Sequence, residues 1–407
     1  MSEQFDVDVV IVGGGMVGAA LGCSLGNSAL RVAVIEEAPP QPYAPEQPQD
    51  LRVSAFSMAS RNVLDMAGAW SRVLQMRYCP YRRMKVWETS GEVEFDSEEI
   101  DENFLGYIIE NRLVQLALLE RLPAFDNVKL FAPGKIKRMD YRPEGSEIEL
   151  QDGTLLRARL LVAADGARSA VRQAAGLGVS GWDYEQHALV LSVETDYPQQ
   201  DITWQRFTTH GPQAFLPMPG NHASLVWYEA PMTVKRLQGL DNDALLTELS
   251  AAFPPGLGKI NRILAKGSFP LRRQHAQHYI SEGVALVGDA AHTIHPLAGQ
   301  GVNIGLLDAA SLAEVLVQAK GYGKDIGCYK VLRQFERMRR SENLVMMTSM
   351  DLFYRVFGVT SKPVKFLRNL GLGLAETFGP AKSKVMRYAM GLEGNLPRLA
   401  RGEALGK

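Results

Sequence analysis

Three glycines, Gly13, Gly15 and Gly18, and one acidic residue, Glu36, have the types and spacing needed to bind a dinucleotide. The glycines follow a β-branched apolar run, Val9–Val12. Gly13 permits a tight turn, Gly15 lets the backbone approach a pyrophosphate, and Gly18 lets the following helix pack on the strand. The helix N-terminus then presents unpaired N–H groups to the phosphates. Glu36 lies about 20 residues further on, as expected for an acid that binds a ribose hydroxyl; the alternative is a solvated strand end.

A second match to the same pattern, Gly176–Gly181, shows how much the context matters. It follows a helix-like stretch, Ser169–Ala175, and no clear amphipathic helix comes after it. Because the pattern needs a strand before it and a helix after it, we predict a loop there and no second nucleotide-binding unit.

Two further strand ends carry polar or glycine-rich turns. Leu160–Ser169 contains Asp165-Gly166, and Val284–His292 contains Gly288-Asp289. After a loop that carries Pro296, the glycine-rich Ala298–Asn303 opens a helix predicted to continue to about Ala319. Such a helix start is an anion site. Turns from opposite ends of the chain could therefore bind one long ligand, with a phosphate at one end and an electron-accepting ring at the other.

Arg52 and several histidines allow more than one interpretation. Arg52 follows an extended loop with five prolines between Ala38 and Pro48, and could contact a pyrophosphate or form a surface salt bridge. His292 and His295 could act as a general acid or base near neutral pH, or could be loop histidines hydrogen-bonded to the backbone. We expect His275 and His278 to face solvent.

The elements that must position these residues alternate between strands and helices. The patterns predict helices over Met16–Leu25, Ser57–Leu74, Asn111–Leu122 and Asp241–Ala252, and strands over Arg31–Ile35, Met84–Phe95, Val128–Phe131, Glu147–Leu150 and Leu155–Arg159. Between residues 181 and 272 the aromatic and proline content rises, and strands are predicted over Thr203–Phe207, Ala214–Met218 and Ser224–Tyr228. Their aromatic faces suit an organic ring but are also ordinary core.

Composition excludes several classes of protein. The 407 residues carry a formal net charge of −1, which does not favour a nucleic-acid binder. Three scattered cysteines, Cys23, Cys79 and Cys328, form no C-x-x-C pair, so we expect a reducing compartment and no metal site. The chain enters its first strand at once, and we expect neither a signal peptide nor a membrane-spanning helix. Ser54 and Ser169 have no base near them in sequence, which does not support hydrolase chemistry.

The C-terminal segment from Asp351 onward is basic, with ten Lys or Arg residues against four acidic ones. Apolar residues such as Val364, Phe366 and Leu370 lie between the charges. Basic amphipathic helices bind anionic membrane surfaces, and they also pack on protein partners or on their own domain. Both interpretations stay open.

Taken together, the motifs give the chain a family resemblance that covers nearly its whole length. It resembles the flavin-dependent aromatic hydroxylases of the para-hydroxybenzoate hydroxylase type, on the trio Gly13–Gly18, Ala164–Arg172 and Gly288–Asn303. Within that family it looks most like the bacterial ubiquinone-biosynthesis hydroxylases. The segments that suggest this are Arg52–Ala55, Gly106–Asn111, Gly288–Asn303 and Met350–Tyr354.

The resemblance implies FAD as cofactor and a role for each motif. Gly13, Gly15 and Gly18 would hold the pyrophosphate and Glu36 the adenosine ribose, with Arg52 along the FAD. Asp165 would lie in an element associated with both FAD and NAD(P)H. Asp289 would bind the ribityl or pyrophosphate region, and Pro296 would line the flavin face. The segment after it would present backbone N–H groups to the flavin pyrimidine edge, through Gly299, Gly301, Val302 and Asn303.

The implied reaction is hydroxylation of a polyprenyl phenol or benzoquinol of ubiquinone biosynthesis. NADH or NADPH would reduce FAD, and a flavin hydroperoxide formed with O2 would transfer OH to the ring. No catalytic side chain is identified; His292, His295 and Pro296 are the candidates. The alternatives are a flavin-dependent reductase or oxidase without oxygen insertion, and a non-catalytic prenyl-binding scaffold of a ubiquinone-biosynthesis complex.

The predicted fold class is therefore α/β. A discontinuous Rossmann-like FAD-binding domain is expected at residues 1–75, 101–180 and 273–345. An inserted sheet-based substrate domain is expected at 76–100 and 181–272, and a helical C-terminal extension at 346–407. The expected location is the cytoplasm, with peripheral contact at the inner membrane face and with other ubiquinone-biosynthesis proteins as further hypotheses.

Overall fold

The computed structural model describes residues 5–88, 91–254, 258–294, 301–358 and 379–406. Its strands, numbered in chain order, are β1 (Val7–Val12), β2 (Val32–Ile35), β3 (Val53–Ser57), β4 (Cys79–Tyr81), β5 (Arg83–Trp87), β6 (Glu92–Asp96), β7 (Gly106–Glu110), β8 (Val128–Phe131), β9 (Ile136–Asp140), β10 (Ser146–Leu150), β11 (Leu155–Ala163), β12 (Val179–Thr195), β13 (Ile202–Phe207), β14 (Pro212–Pro217), β15 (His222–Glu229), β16 (Ile260–Ala276), β17 (Ile280–Ser281), β18 (Val284–Leu286) and β19 (His292–Thr293).

The helices in the described part of the chain are α1 (Met16–Ser24), α2 (Met58–Met66), α3 (Trp70–Leu74), α4 (Asn111–Arg121), α5 (Ala170–Ala174), α6 (Pro231–Gly239), α7 (Asn242–Ala252), α8 (Gly301–Gly321), α9 (Tyr329–Gly358) and α10 (Gly379–Ala389).

The first sheet has a parallel centre in the order β18, β11, β1, β2, β8, with β9 and β10 added as an antiparallel meander through β11. Its central strands are continuous apolar runs because helices cover both faces, as parallel sheets require. Helix α1 packs closely on it: a Cβ on Gly22 would come within 2.9 Å of Val34 and of Leu122. This sheet and its helices form the largest core of the molecule.

The second sheet is mainly antiparallel, in the order β19, β16, β12, β15, β14, β13, β5, β6. Its strands β13, β14 and β15 confirm the three strands predicted for this region. Helices α6 and α7 cover one face, where Trp204, Phe215 and Trp227 pack. Helix α6 is absent from the helices predicted above, which place the first helix of this region at Asp241. The helix is only nine residues long, so its periodic pattern in the sequence is short. Pro231 does indicate a helix start, because the missing N–H of proline costs nothing in the first turn.

Strands β12 and β16 are 17 residues long each and pair along most of their length. Both strands belong to the second sheet, and Ala276 at the end of β16 packs in the core of the first. The boundaries predicted at 181 and 272 therefore fall inside continuous strands. The predicted loop at Gly176–Gly181 is wrong for its last three residues, which begin β12. No helix follows this second glycine pattern, as predicted.

Two other helical expectations need correction. The predicted helix over Ser57–Leu74 is two helices, α2 and α3, because the chain turns at Gly68, which has φ +75°. The helix α8 is long and apolar enough to cross a membrane, with mean hydropathy 1.4, contrary to the expectation of no such stretch. However, 72% of that stretch is buried inside the protein, which is the pattern of a core helix.

Candidate active site

The three motifs come together at one edge of the first sheet. They follow β1, β11 and β18, which are adjacent parallel strands, so their carboxyl ends lie side by side. The backbone ties each turn to its neighbour: Ala164 N donates to Val12 O at 2.8 Å, and Val287 N donates to Ala163 O at 3.0 Å. Ligands of open α/β sheets bind at this edge.

Gly13 and Gly18 are required by packing between these turns. Gly13 has φ +102°, and a Cβ there would overlap the carbonyl of Ala164. A Cβ on Gly18 would overlap the carbonyl oxygen of Gly13 and lie 2.9 Å from the Ala164 Cβ. Both glycines therefore hold the first motif against the second.

Gly15 behaves differently, because a Cβ built on it would meet no atom within 4 Å. It is the N-cap residue of α1, and no side chain caps this helix. The first-turn N–H groups of a helix lack intrahelical partners. The open volume beside Gly15, at an uncapped helix N-terminus, fits a pyrophosphate.

Glu36 lies immediately after β2, close to the first turn. A Cβ on Gly14 would come within 2.7 Å of the Glu36 Cβ, so the two backbones are neighbours. One Glu36 carboxylate oxygen, Oε1, accepts a hydrogen bond from Ala38 N at 2.8 Å. The side chain is half-buried and held at the sheet edge, where an adenosine ribose could reach it.

Arg52 lies at this edge, after a proline-rich loop that hydrogen bonds hold in place. The buried carboxylate of Glu110 accepts hydrogen bonds from Asp50 N at 2.8 Å and from the guanidinium of Arg77. Burial raises the pKa of Glu110, and the Asp50 N–H and the Arg77 charge oppose that rise. Arg77 also donates to Gln47 O, so the proline-rich loop is fixed from both sides.

The Arg52 side chain itself is exposed and lies 5.6 Å from the centre of the Phe269 ring. It forms no salt bridge with any residue in the described ranges, so the surface salt bridge considered above is not formed there. Burial raises the pKa of the Asp289 carboxyl, and the Arg52 charge acts on that carboxyl and partly opposes the rise. Arg52 and the Gly288-Asp289 turn therefore face the same space.

Asp165 begins the turn after β11. Its Oδ2 accepts hydrogen bonds from Ala170 N at 2.7 Å and Val171 N at 3.2 Å, which start α5. Its Oδ1 is buried and has no hydrogen-bond partner in the described structure. A buried carboxylate oxygen left without a donor is costly, so it is a fitting acceptor for a ligand hydroxyl.

Asp289 lies in a short 3-10 turn, Gly288–Ala290. Its side chain is exposed to solvent at the sheet edge where the three turns meet. Desolvation of the carboxyl by neighbouring protein atoms raises its pKa, while the charges of His292 and Arg52 partly oppose the rise. The first and third motifs also touch: a Cβ on Gly288 would lie 3.2 Å from Val17 of α1.

Helix α8 begins at Gly301 and points its N-terminus toward these turns. Its second residue, Val302, packs on the main core. The Asn303 side chain is buried and binds the neighbouring β3–α2 corner, since it accepts from Ser57 N and donates to Ala55 O at 2.8 Å. Residues His295, Pro296 and Gly299 lie outside the described residues.

The histidines next to this turn are buried, which the sequence did not indicate for His275. His275 is 9% exposed and its Nε2 lies 3.1 Å from the Tyr279 hydroxyl, so the expectation that it faces solvent is wrong. Burial, together with repulsion from His292 and two arginines, lowers its pKa to about 4. His278 is exposed, as expected. His292 is bonded to the carboxylate of Asp308 and not to the backbone.

Sequence reasoning missed the polar residues that support these turns. Arg172 donates to Ala290 O at 2.8 Å and to Ala167 O at 2.9 Å, and so joins the second motif to the third. Asp308 accepts from Gly288 N at 3.1 Å. The available signal was a single aspartate inside an otherwise apolar stretch of α8, because a charged residue in such a position is buried only if it is paired.

The second sheet presents an apolar face beside this edge. Val190 and Tyr228 pack there with Leu51 and Phe269, the ring that Arg52 approaches. Ser224, on the same face of β15 as Tyr228, has a buried hydroxyl without a hydrogen-bond partner in the described structure. The face can thus enclose an organic ring and offers a polar atom to it.

The residues present fit a bound FAD in three independent respects. Gly15 leaves a cradle that a side chain would fill, Asp165 has an unused buried acceptor, and Asp289 presents an exposed carboxylate at the same sheet edge. Among the described residues, no group of three His, Cys, Asp or Glu side chains is arranged to hold a metal ion.

Comparison with protein families and with known proteins gives consistent matches. A family model described as "FAD binding domain" matches residues 6–326, and one described as "Squalene epoxidase" matches residues 258–397. The 3-demethoxyubiquinol 3-hydroxylase of Escherichia coli is 45% identical over 95% of this chain and 98% of its own length. A ubiquinone hydroxylase of Rhodospirillum rubrum is 39% identical over 98% of this chain and 93% of its own.

Similarity extends to eukaryotes and to solved structures. The human mitochondrial ubiquinone biosynthesis monooxygenase is 32% identical over 94% of this chain and 92% of its own. The structure of p-nitrophenol 4-monooxygenase from Pseudomonas putida matches 94% of this chain and 98% of its own, with a TM-score of 0.77 and 20% identity. A probable FAD-dependent monooxygenase from Pseudomonas aeruginosa matches 90% of this chain and 99% of its own, with a TM-score of 0.72 and 22% identity. These two likenesses establish the predicted fold class.

Proposed function

Because this chain belongs to the FAD-dependent monooxygenases of ubiquinone biosynthesis, we propose that it hydroxylates the ring of a polyprenylated phenol or benzoquinol with NADH or NADPH and O2 as co-substrates. The observation that carries the proposal is the convergence of the three turns on one cleft beside the apolar face of the second sheet. Bound FAD would supply the redox chemistry that inserts one oxygen atom into an electron-rich ring.

The chain's own residues would bind and orient the cofactor and keep water out. Gly13 and Gly18 shape the first turn, so that α1 can hold the pyrophosphate over Gly15. Arg52 would balance phosphate charge from the solvent side. Asp165 and Asp289 would accept hydrogen bonds from cofactor hydroxyls, which offsets the cost of enclosing their carboxylates.

The α8 N-terminus would stabilise negative charge at the cofactor ring. Helix N-termini carry partial positive charge and favour anions. The proposed contacts are the backbone N–H groups of Gly301, Val302 and Asn303, and by resemblance that of Gly299. Pro296 has no backbone N–H, and by resemblance it would line the flavin face instead. The Asn303 side chain would fix the helix start by its bonds to β3 and α2.

The test is oxygen incorporation by the purified protein. With FAD, NADH or NADPH, and a short-chain demethoxyubiquinol analogue under isotopically labelled O2, the product should gain one labelled oxygen. A flavin-dependent reductase or oxidase would change the substrate without gaining the label. A prenyl-binding scaffold would show no substrate-stimulated consumption of NADH or NADPH, and either result would refute the proposal.

The ring carbon is a separate question. The 45% identical relative is named a 3-demethoxyubiquinol 3-hydroxylase, which makes that ring the first substrate to test. Deleting the gene in its host and identifying the accumulated quinone precursor by mass spectrometry would establish the position. Accumulation of a precursor that lacks a different hydroxyl would reassign the regiochemistry and leave the reaction class intact.

A peripheral membrane contact is part of the proposal because the polyprenylated substrate would be hydrophobic and would lie in the membrane. Leu344, Val345 and Leu352 of α9 are exposed apolar side chains, and the segment that follows is basic. The described end of that segment packs on the FAD-binding part: Ala59 N donates to Met390 O at 3.3 Å, and Asn62 donates to Ala400 O at 3.0 Å. The membrane interpretation therefore rests on α9 and the residues after it, and not on the last helix.

Vesicle cosedimentation tests this contact. Truncation after residue 350 would also remove Met390 and Ala400 from the protein interior, so substitution is the cleaner change. Val345→Ser combined with Leu352→Ser should reduce binding to anionic vesicles, whereas Met232→Ser, at an exposed methionine of α6, should not. Equal binding by all three proteins would remove the membrane contact from the proposal and leave a cytoplasmic enzyme.

A further inference from the structure

A buried polar cluster lies directly beneath the Gly288-Asp289 turn. Its centre is Asp308 of α8, which is 0% exposed. We define the Asp308 cluster as Asp308, His292, Arg339, Asn343 and Tyr279. None of these side chains has a role in the proposed binding of cofactor or substrate, so their function needs a separate account.

Both carboxylate oxygens of Asp308 are fully used. Oδ2 accepts from Gly288 N at 3.1 Å and from His292 Nε2 at 2.5 Å, while Oδ1 accepts from Arg339 Nε and Asn343 Nδ2, each at 2.9 Å. Although burial alone would raise the pKa of Asp308, the charges of His292 and Arg339 hold it at about 2. The carboxylate is therefore ionised and is a fixed anchor for the turn.

The anchor determines where Asp289 lies. Gly288 has φ +58°, and its N–H is bound by Asp308 one residue before the carboxylate that lines the cleft. On the other side, a Cβ on Gly305 would come within 2.7 Å of Val17 and 3.2 Å of the Gly288 Cα. Helix α8 thus contacts the turn both by a hydrogen bond and by close packing.

Helix α9 connects this cluster to the second sheet. Arg339 and Asn343 supply two of the four donors to Asp308 and also bind each other at 2.7 Å. Two turns further along the same helix, Asp351 accepts from the Tyr184 hydroxyl of β12 at 3.0 Å and pairs with Arg273 of β16 at 3.1 Å. Helix α9 is therefore hydrogen-bonded to Asp308, which holds the Gly288-Asp289 turn, and at Asp351 it is bonded to the second sheet.

We propose that Asp308 is a positioning residue for the flavin site, and that α9 transmits the position of the second sheet to it through Arg339 and Asn343. This inference rests on the proposed function only in assuming that the cleft binds FAD. It predicts that changes at Asp351, which binds Tyr184 and Arg273 of the second sheet, alter the flavin in the same sense as changes at the cluster. Asn343 and Asp351 lie roughly 12 Å apart at about 1.5 Å rise per residue.

The experiment compares Asp308→Asn, Asn343→Ser and Asp351→Asn with the wild type. Asp308→Asn removes the charge that pairs with buried Arg339, and Asn343→Ser is a milder change if that protein fails to fold. For both cluster variants, the dissociation constant of FAD from the apoprotein should rise about tenfold, equal to about 1.4 kcal/mol. The flavin absorbance spectrum and midpoint potential should shift, and kcat should fall more than KM for the ring substrate rises.

Asp351→Asn should shift the flavin spectrum and midpoint potential in the same direction as Asn343→Ser, by a smaller amount. Asp325→Asn is the matched control, because it breaks a carboxylate–arginine pair with Arg159 beyond the opposite end of α8. It should leave every flavin signal unchanged. If the cluster variants lower only thermal stability, or if Asp351→Asn matches the control, the positioning role is refuted. A wild type that binds no FAD would refute the proposed function and not this inference alone.

Discussion

Adding a methyl group at either of two glycines of the first turn should impair two different properties, cofactor binding at Gly15 and stability at Gly18. At Gly15 a Cβ meets nothing within 4 Å, and the backbone, at φ −64° and ψ 179°, is one that any residue adopts. At Gly18 a Cβ overlaps the Gly13 carbonyl oxygen and lies 2.9 Å from the Ala164 Cβ. Gly15→Ala should therefore damage cofactor binding, and Gly18→Ala should damage the fold.

The magnitudes follow from these contacts. In the apoprotein, Gly15→Ala gains about 0.4–1 kcal/mol by restricting the unfolded chain. It loses a comparable amount because alanine is a poorer N-cap residue than glycine, so its unfolding free energy should change by less than about 1 kcal/mol. With FAD, losing one charge-assisted hydrogen bond to a phosphate costs about 1.5–3 kcal/mol. The dissociation constant should then rise about 10- to 150-fold.

Gly18→Ala should lower the unfolding free energy of the apoprotein by about 1–3 kcal/mol or more, the usual cost of overpacking a tight contact. The assays are thermal denaturation of the apoprotein followed by circular dichroism, and FAD titration followed by quenching of flavin fluorescence. If Gly15→Ala binds FAD as the wild type does, or destabilises the apoprotein as much as Gly18→Ala, the assignment of the open volume to the pyrophosphate is refuted.

Three further outcomes can be checked with the same apoprotein. Arg52→Gln should raise the FAD dissociation constant about tenfold, because an exposed cation that balances phosphate charge is lost. Arg262→Gln, which breaks an exposed pair with Glu194, should leave it unchanged in the same titration. Asp289→Asn should raise the thermal midpoint of the apoprotein at pH 7, since burial raises the pKa of Asp289 and its ionised form costs stability above that pKa. The gain should vanish as the pH falls below the ordinary value of 3.8, where the carboxyl is protonated in both states, and a pH series of melting curves would test this. A thiol reagent at pH 8 should label Cys328 and spare Cys23 and Cys79 until the protein is unfolded, because burial raises the pKa of both thiols to about 12. Mass spectrometry of the labelled peptides would identify the reactive cysteine.

Local signals were sufficient for the first sheet and insufficient for the second. Val9–Val12 and Val32–Ile35 are continuous β-branched or apolar runs, and such strands are recognisable without knowledge of their partners. Strands β12 and β16 contain charged, polar and glycine residues, and their length comes from pairing with each other. Pairing between residues 179 and 276 is a long-range property, so periodicity in a single segment does not reveal it.

The same distinction separates the cleft residues that could be predicted from those that could not. The roles of Gly13, Gly15 and Gly18 could be predicted because their spacing alone indicates a dinucleotide-binding turn. Asp308 and Arg172 act through partners that are distant in sequence, such as Arg339 and Ala290. The expectation about His275 failed for a related reason: two preceding arginines suggested an exposed segment, but β16 returns its end to the core beside Tyr279.

The paired strands β12 and β16 limit how the two halves of this protein can move. They extend roughly 55 Å at about 3.3 Å per residue. Their register shifts between Asp183 and His187, where Glu185 adopts φ +54°. Because the chain here consists of paired strands and not of a flexible linker, we expect that the two halves do not swing apart as independent bodies to admit substrate. We expect a long-tailed molecule to enter instead by bending of this ribbon at its register irregularities, which lie near Glu185 and after Ser192 and Glu194, or through an opening along the side of the cleft.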